Sequence, residues 1–539
     1  MNTFNFASIT DAVADLAPDR VAVAASDGIA VTKYTYGVLE DRGNRLAHVL
    51  QDLGVGAGDR VAVLAHNRAE WLAIMVGCFK LGALFVNVNY RYTAPEIAYV
   101  LRDSESSVVI AEAEFEAALT QALGQAGTGA RVLYLDQDAP TDTSLDVLMS
   151  EASSERDFPP RDSVDEYMLY TGGTTGMPKG VIWTQPDLVE GAIAYGWATG
   201  GIGATDPTTI AQQLTEEVPA VMAVAPLMHG NGQWAMLRAW VLAGTATVWT
   251  GRKYDPEKLL DAAEVLRVNV IALVGDAMAK PLADALERNP ERWTLSKLNA
   301  IGTGGAVLSP STRAELRKHL PHVTIIDSFG GSEIGAACTT TTTSPDDSAI
   351  PKLPITERVD ILRDDLTQSA VGEEGFVGVC GPTANRYWND PVKSAETFRV
   401  DASGKRWVLP GDKGIRNADG TFLLLGRGSL AINTGGEKVF PDEVETALKE
   451  LPAVFDALVV GVRDVRYGNV VAAVVSLRPG ATLTLDGLQE YLRRQLAGYK
   501  VPRDLVVVDE IRRSPAAKAD YAWARELFTS RIVDKSSAS

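Results

Sequence analysis

The sequence predicts an α/β protein in two parts. A large N-terminal body of helix-covered parallel sheets spans residues 1–426, and a small, mobile α+β C-terminal lid spans residues 427–539. Three observations predict it. Short apolar runs of β-forming residues alternate with helical periodicities along most of the chain, the pattern of parallel strands covered by helices. The grain changes after Gly426, where a helix, two adjacent β-rich runs, a second helix and a last strand follow one another. And 539 residues exceed what one core organises, at roughly 150 residues per structural unit.

In chain order, Leu39, Leu46, Val49, Leu50 and Leu53 share one helical face that Gly54 ends. Arg60–Leu64 reads as a strand and Glu70–Lys80 as a helix. The buried-strand candidates are Val108–Ala111, Val132–Leu135, Tyr167–Leu169, Val221–Ala225, Thr245–Trp249 and Val270–Val274. Met222, Met228, Met236 and Met278 are expected in the core or lining a pocket. The loop Gly426-Arg427-Gly428-Ser429 is the expected hinge, since glycine absorbs backbone rotation. Beyond it Pro441–Leu451 is helical, with Pro at its first position. Strands Ala457–Val462 and Val470–Leu477 are joined by the turn Asp464–Gly468. Then come a helix Leu485–Leu496, a strand Leu505–Val508 and a frayed tail, Val533–Ser539.

Composition narrows the functional classes. With 51 basic against 69 acidic residues the net charge is −18, which argues against a nucleic-acid partner and against electrostatic attachment to anionic lipid. Cys78, Cys338 and Cys380 are too few and too dispersed for a zinc cluster or a disulfide framework, which fits a reducing, cytoplasmic compartment. The five histidines show no metal-ligand spacing. Met1–Leu16 lacks the basic start and apolar run of a signal peptide. Val218–Met228, the longest apolar stretch, holds two prolines and falls well short of a membrane span, so no transmembrane segment is expected.

The densest chemical signal is Tyr170-Thr171-Gly172-Gly173-Thr174-Thr175-Gly176-Met177-Pro178-Lys179-Gly180. Glycines let backbone N–H groups approach a phosphate, the threonine hydroxyls donate to its oxygens, and Lys179 adds charge. The G-x-x-x-x-G-K-[ST] spacing of a P-loop is absent. Gly302–Val307 is one glycine short of a dinucleotide fingerprint, and no Ser-His-Asp set has local support.

This segment resembles the signature loop of the adenylate-forming superfamily of acyl-CoA synthetases, peptide-synthetase adenylation domains and luciferases. Further segments resemble that family's motifs in the family's order. They are Gly304-Gly305-Ala306, Asp327-Ser328-Phe329-Gly330-Gly331-Ser332-Glu333, Pro410-Gly411-Asp412, Gly426-Arg427, Gly435-Gly436-Glu437-Lys438-Val439 and Ser514-Pro515-Ala516-Ala517-Lys518. The resemblance runs from about Asp11 to Arg525 and implies the adenylate-forming fold, with ATP, Mg²⁺ and coenzyme A as cofactors.

The same resemblance implies the roles. Lys518 matches the catalytic lysine that places positive charge between an attacking carboxylate and the α-phosphate, with Ala517 where the family has Gly. Glu333 matches the carboxylate that holds Mg²⁺, a hard ion wanting oxygen ligands. Thr175, with Thr171, Gly172, Gly173, Thr174, Gly176, Lys179 and Ser332, matches the phosphate contacts. Gly304, Gly305, Ala306, Asp327, Ser328, Phe329 and Gly330 match the adenine side, Phe329 replacing the usual Tyr. Asp412 and Arg427 match the ribose grip. Gly435 and Gly436 match the face presented to the pantetheine arm. His229, Gly304 and Gly330 match the acyl side. Ser429 stands where acyl-CoA synthetases place a hinge Asp or Lys.

The expected reaction is therefore two-step: acid and ATP to acyl-adenylate and pyrophosphate, then thioester formation with CoA, releasing AMP. The partners are small molecules. Two alternatives stay open, a ligase that loads a separate carrier protein and a non-catalytic acyl or nucleotide sensor. The 21 residues after Lys518 are too few for a fused carrier domain. Val268–Leu282, Ile432–Val439 and Ser514–Arg525 resemble an actinobacterial subgroup acting on sterol side-chain, branched and medium- or long-chain acids. Gly200–Ala204 and Gly335-Ala336-Ala337 are the candidate lining of a wide acyl pocket. Assembly is open between monomer and homodimer, as is peripheral contact with a membrane.

Overall fold

The computed structural model describes residues 4–136, 140–161, 165–171, 177–194, 206–212, 214–306, 308–342, 352–427, 430, 432–434, 437–464, 468–494, 496, 498–513 and 519–536. The body is built on an eight-stranded sheet. From one edge its strands are Gly335–Thr342, Thr324–Gly331, Ala300–Gly304, Val270–Leu273, Ala220–Ala223, Thr245–Trp249, Val21–Ser26 and Val31–Thr35. The inner six are parallel, and an antiparallel strand closes each edge. A second, wholly parallel sheet orders Leu84–Asn87, Arg60–Leu64, Val108–Ala111 and Arg131–Tyr134. The central strands are buried on both faces, which is why they read as continuous apolar runs. The four methionines are buried, as the sequence predicts.

Two antiparallel layers complete the body; of their strands, the apolar runs mark only Tyr167–Leu169. Glu166–Thr171 and Lys179–Thr184 form a hairpin whose outer strand is extended by Arg386–Tyr387. Leu353–Pro354, Thr421–Arg427, Asp412–Arg416, Glu374–Cys380, Arg406–Val408 and Phe398–Val400 form a seven-stranded sheet with Val359–Leu362. Lys80, wholly buried on helix Glu70–Leu81, donates to Asp11 at 2.6 Å and to Glu40 at 2.9 Å, joining three helices at the N-terminus.

The lid is a five-stranded sheet: Glu437–Val439, Ile432–Thr434, Gly468–Leu477 and Val454–Asp464, with Asp504–Val508 parallel to Gly468–Leu477. Helices Pro441–Lys449 and Leu485–Leu492 cover one face through Val444, Leu448, Leu488 and Leu492. Helix Tyr521–Ser536 covers the other through Ala524 and Phe528. Two expectations need correcting. Val533–Ser536 is the last turn of that helix rather than a frayed tail. Gly426 and Arg427 end a strand rather than sit in a loop, because that strand is still paired with Asp412–Arg416 there. Gly428 and Ser429 lie outside the described residues.

Candidate active site

The C-terminal ends of the body's parallel strands bring together the residues expected on the nucleotide side. Gly304 ends its strand opposite Ser328, and Thr303 opposite Asp327. The chain then turns at Ser332–Ile334 and pairs back antiparallel, Phe329 against Cys338 and Gly331 against Gly335. Gly330 is required by close approach, since an added Cβ would lie 2.0 Å from the Gly335 carbonyl oxygen. The motifs at 304–306 and 327–333, distant in sequence, are therefore adjacent strands. Phe329 meets Phe422 edge-on at 6.1 Å. The Asp327 carboxylate accepts from buried Arg313 at 2.9 Å. Burial raises its pKa and Arg313 opposes the rise. Asp327 thus braces its strand through Arg313.

The residues expected at the phosphates and the metal gather around Tyr387. Glu333 is 8% exposed, and the Tyr387 hydroxyl donates to its Oε1 at 2.8 Å. The Trp183 indole donates to the Ser332 carbonyl at 2.8 Å, and the Ala384 amide to the Glu333 carbonyl at 3.0 Å. Lys179 lies 5.1 Å over the Tyr387 ring and 3.8 Å from Asp390. Thr171 and Lys179 face each other at the end of the hairpin, so the Gly/Thr-rich segment connects its two strands. Gly172, Gly173, Thr174, Thr175 and Gly176 lie outside the described residues. A buried carboxylate with one oxygen held by a phenol suits Mg²⁺, which takes one or two protein carboxylates and leaves its other positions to phosphate and water.

Asp412 and Arg427, fifteen residues apart, are register partners on neighbouring strands, so the two predicted ribose contacts start from one place. On the acyl side, His229 is the N-cap of helix Gly230–Val241, and its amide donates to Pro226. Asn231, in the same helical turn, places Nδ2 3.4 Å from the carbonyls of Leu273 and Gly304. Its buried Oδ1 has no hydrogen-bond partner among the described residues. Gly335 is a tight backbone crossing, where an added Cβ would meet the Gly191 carbonyl at 2.4 Å. Gly191 belongs to a π-helical turn, Val189–Ala194. Gly200–Ala204 lie outside the described residues.

A cavity of about 120 Å³ is lined by His66, Tyr90, Arg91, Val224, Pro226 and Arg252, among others. Its Val224–Pro226 wall leads directly into His229. The fold brings His66 to Glu112 at 2.9 Å and Glu114 at 3.2 Å, a grouping that spacing in sequence does not reveal. Arg68 and Arg252 pair with the same two carboxylates and balance their charge.

Of the lid residues, Gly435, Gly436 and Lys518 lie outside the described residues. The base of the Lys518 segment is described: Arg513 donates to both oxygens of Asp456 at 2.8 Å and forms a β-bridge with Ala519. Four residues that motif reading missed hold this site together: Asn87, Asn231, Arg313 and Tyr387. Asn87 accepts from the Tyr170 amide and donates to the carbonyls of Tyr170 (2.8 Å) and Met228 (2.6 Å), tying the phosphate hairpin to the turn before His229. None carries a local sequence signal, because each acts across the fold.

Residues 10–388 match the model of the AMP-binding enzyme family and residues 443–518 that of its C-terminal domain. The 3-oxocholest-4-en-26-oate–CoA ligase of Rhodococcus rhodochrous is 39% identical over 549 residues, covering 98% of this chain and 97% of the relative. A medium/long-chain-fatty-acid–CoA/3-oxocholest-4-en-26-oate–CoA ligase of Mycobacterium tuberculosis H37Rv is 38% identical over 544 residues, covering 98% and 97%. ATP-bound MatB from Rhodopseudomonas palustris superposes with a TM-score of 0.79 at 25% identity, covering 96% of this chain and 99% of that one. The chain belongs to the AMP-binding enzyme family. It is an acid–thiol ligase that uses ATP, Mg²⁺ and coenzyme A. No helix among the described residues is long and apolar enough to cross a membrane.

Proposed function

We propose that the acid is a medium- or long-chain, branched or sterol side-chain carboxylate. The observation that carries this is the 38–39% identity, across nearly the whole chain, to ligases named for such acids. Residues 1–426 form the adenylation body and 427–539 the lid in this reading, turning about Gly426–Ser429. A carboxylate oxygen attacks the α-phosphorus, and the bond to pyrophosphate breaks. Lys518 offsets the negative charge shared between the two anions. Thr171–Lys179 and Ser332 hold phosphate oxygens, Asp412 and Arg427 the ribose, and Gly304–Ala306 with Phe329 the adenine. Mg²⁺ held at Glu333 neutralises phosphate charge when bound. The lid then presents Gly435–Gly436, the CoA sulfur attacks the acyl carbon, and the bond to AMP breaks. In this reading the enzyme acts in the cytoplasm on small-molecule partners.

The test is AMP and pyrophosphate release with Mg·ATP over acetate, octanoate, palmitate, benzoate and a sterol side-chain acid, with and without CoA. CoA-dependent turnover highest on octanoate, palmitate or the sterol acid is expected. A preference for acetate or benzoate would overturn the acid assignment. Pyrophosphate release that a carrier protein, but not CoA, sustains would overturn the acceptor.

A further inference from the structure

The helix Gly275–Arg288 touches both halves of the molecule from one face. Asp276, in its first turn, accepts from the amide and hydroxyl of Ser309 at 2.9 and 3.1 Å, just past the nucleotide-side segment Gly304–Ala306. Lys280, four residues on and so on the same face, points at the lid. It is 4% exposed. Its ammonium donates to the backbone carbonyls of Phe455 at 2.7 Å and Val454 at 3.3 Å, and lies 4.6 Å from the Phe455 ring centroid.

Those carbonyls sit at an irregularity of the lid sheet. The register between Val454–Asp464 and Gly468–Leu477 shifts between Val454 and Asp456, leaving Phe455 as the extra residue. Asp456, the next residue, clamps Arg513 bidentately and receives Lys449 at 3.5 Å. Arg513 immediately precedes Ser514–Lys518. One short path therefore runs from the nucleotide-side segment through Asp276 and Lys280 to the bulge, to Asp456 and to the base of the Lys518 segment. At the rim of the same seam, Arg478 pairs with Asp284 at 3.8 Å and Glu315 at 3.3 Å.

We propose that Lys280 is a positioning residue: a latch between body and lid that stabilises the orientation in which the Lys518 segment is delivered for adenylation. This rests on the role given to Lys518 above. The partners suit a reversible latch. Burial pulls the Lys280 pKa down, so the seam charges the ammonium a desolvation cost that the two carbonyls and the ring offset. When the lid turns away, the latch parts into an ammonium and two backbone carbonyls, groups that water satisfies.

The test uses the full chain with Lys280→Met and Lys280→Arg. Pyrophosphate exchange reads adenylation, and CoA consumption with supplied acyl-adenylate reads thioester formation. A separate readout is the rate of bismaleimide cross-linking between cysteines introduced as Asp284→Cys and Arg478→Cys; the native cysteines are all buried. Lys280→Met is expected to slow adenylation and cross-linking about tenfold, as for a lost hydrogen bond to a charged group, and to leave thioester formation within about twofold. Lys280→Arg keeps the donors and recovers part of both losses. Equal loss in the two half-reactions, or unchanged cross-linking, would overturn the latch. A wild-type protein that forms no acyl-adenylate from any acid would instead overturn the functional reading, and the cross-linking rate would still decide the latch.

Discussion

The Tyr387 hydroxyl on Glu333 Oε1 is a single hydrogen bond with a definite consequence. It fixes the rotamer of a buried carboxylate that, in the proposed reading, would hold the cation through its second oxygen. Partners of this kind are worth roughly 10–100-fold in metal affinity. Tyr387→Phe should therefore raise the Mg²⁺ concentration for half-maximal pyrophosphate release about tenfold, with the KM for the acid unchanged. An unaltered Mg²⁺ titration would remove Tyr387 from the site. At this scale the sequence is informative only where chemistry repeats a local pattern. Glu333, Lys179 and Asp412 are flagged by neighbours within a few residues. Tyr387 lies 54 positions from the carboxylate it holds and Asn87 lies 83 from Tyr170, so no window of sequence contains either pair.

Elements differ in legibility for a physical reason. Arg60–Leu64, Val108–Ala111 and Thr245–Trp249 lie where the apolar runs put them, because both faces of a parallel sheet are covered. Asp412–Arg416 and Arg406–Val408 are short and half-covered, and their alternation is too brief to register. The lid helix Pro441–Lys449 carries a feature that periodicity cannot foretell. Glu445 is buried, accepts from the Val459 amide at 2.9 Å, and is surrounded by Asp442, Lys449, Arg513 and Tyr521. Burial, reinforced by Asp442, pushes its pKa from 4.5 up to about 7. A carboxyl that holds its proton more tightly when folded gives stability that is present below the unfolded pKa and lost as pH rises to the folded one. Lid stability should thus fall between pH 4.5 and about 7, by a few kcal/mol at 1.36 kcal/mol per unit. Hydrogen exchange of the Val454–Asp464 amides in the full chain should record the fall, and Glu445→Gln should flatten it. Identical pH profiles for the two proteins would refute the assignment.

For the whole molecule, the question is how a lid seated on one face of the body leaves it. In the proposed reading the lid turns where the last body strand ends. Gly426 has φ +83°, which an L side chain adopts only with strain, and an added Cβ would stand 2.0 Å from Asp442 Oδ2 in the first turn of the lid helix. Body strand and lid helix therefore touch through a residue whose left-handed dihedral favours glycine in this orientation. Gly426→Ala adds backbone strain of order 1–3 kcal/mol and displaces Asp442. Both costs fall on the seam that Lys280 closes, and neither applies once the lid has rotated and the 426 dihedrals have changed. Adenylation should drop about tenfold while thioester formation from supplied acyl-adenylate is retained, the same signature as Lys280→Met from the opposite side of the interface. Gly426→Ala with unimpaired pyrophosphate exchange would mean that rotation centres elsewhere, beyond Arg427. The sequence marks this glycine as a candidate hinge. Its left-handed dihedral and its contact with a carboxylate sixteen residues further on are not marked there, since both depend on how the lid packs against the strand.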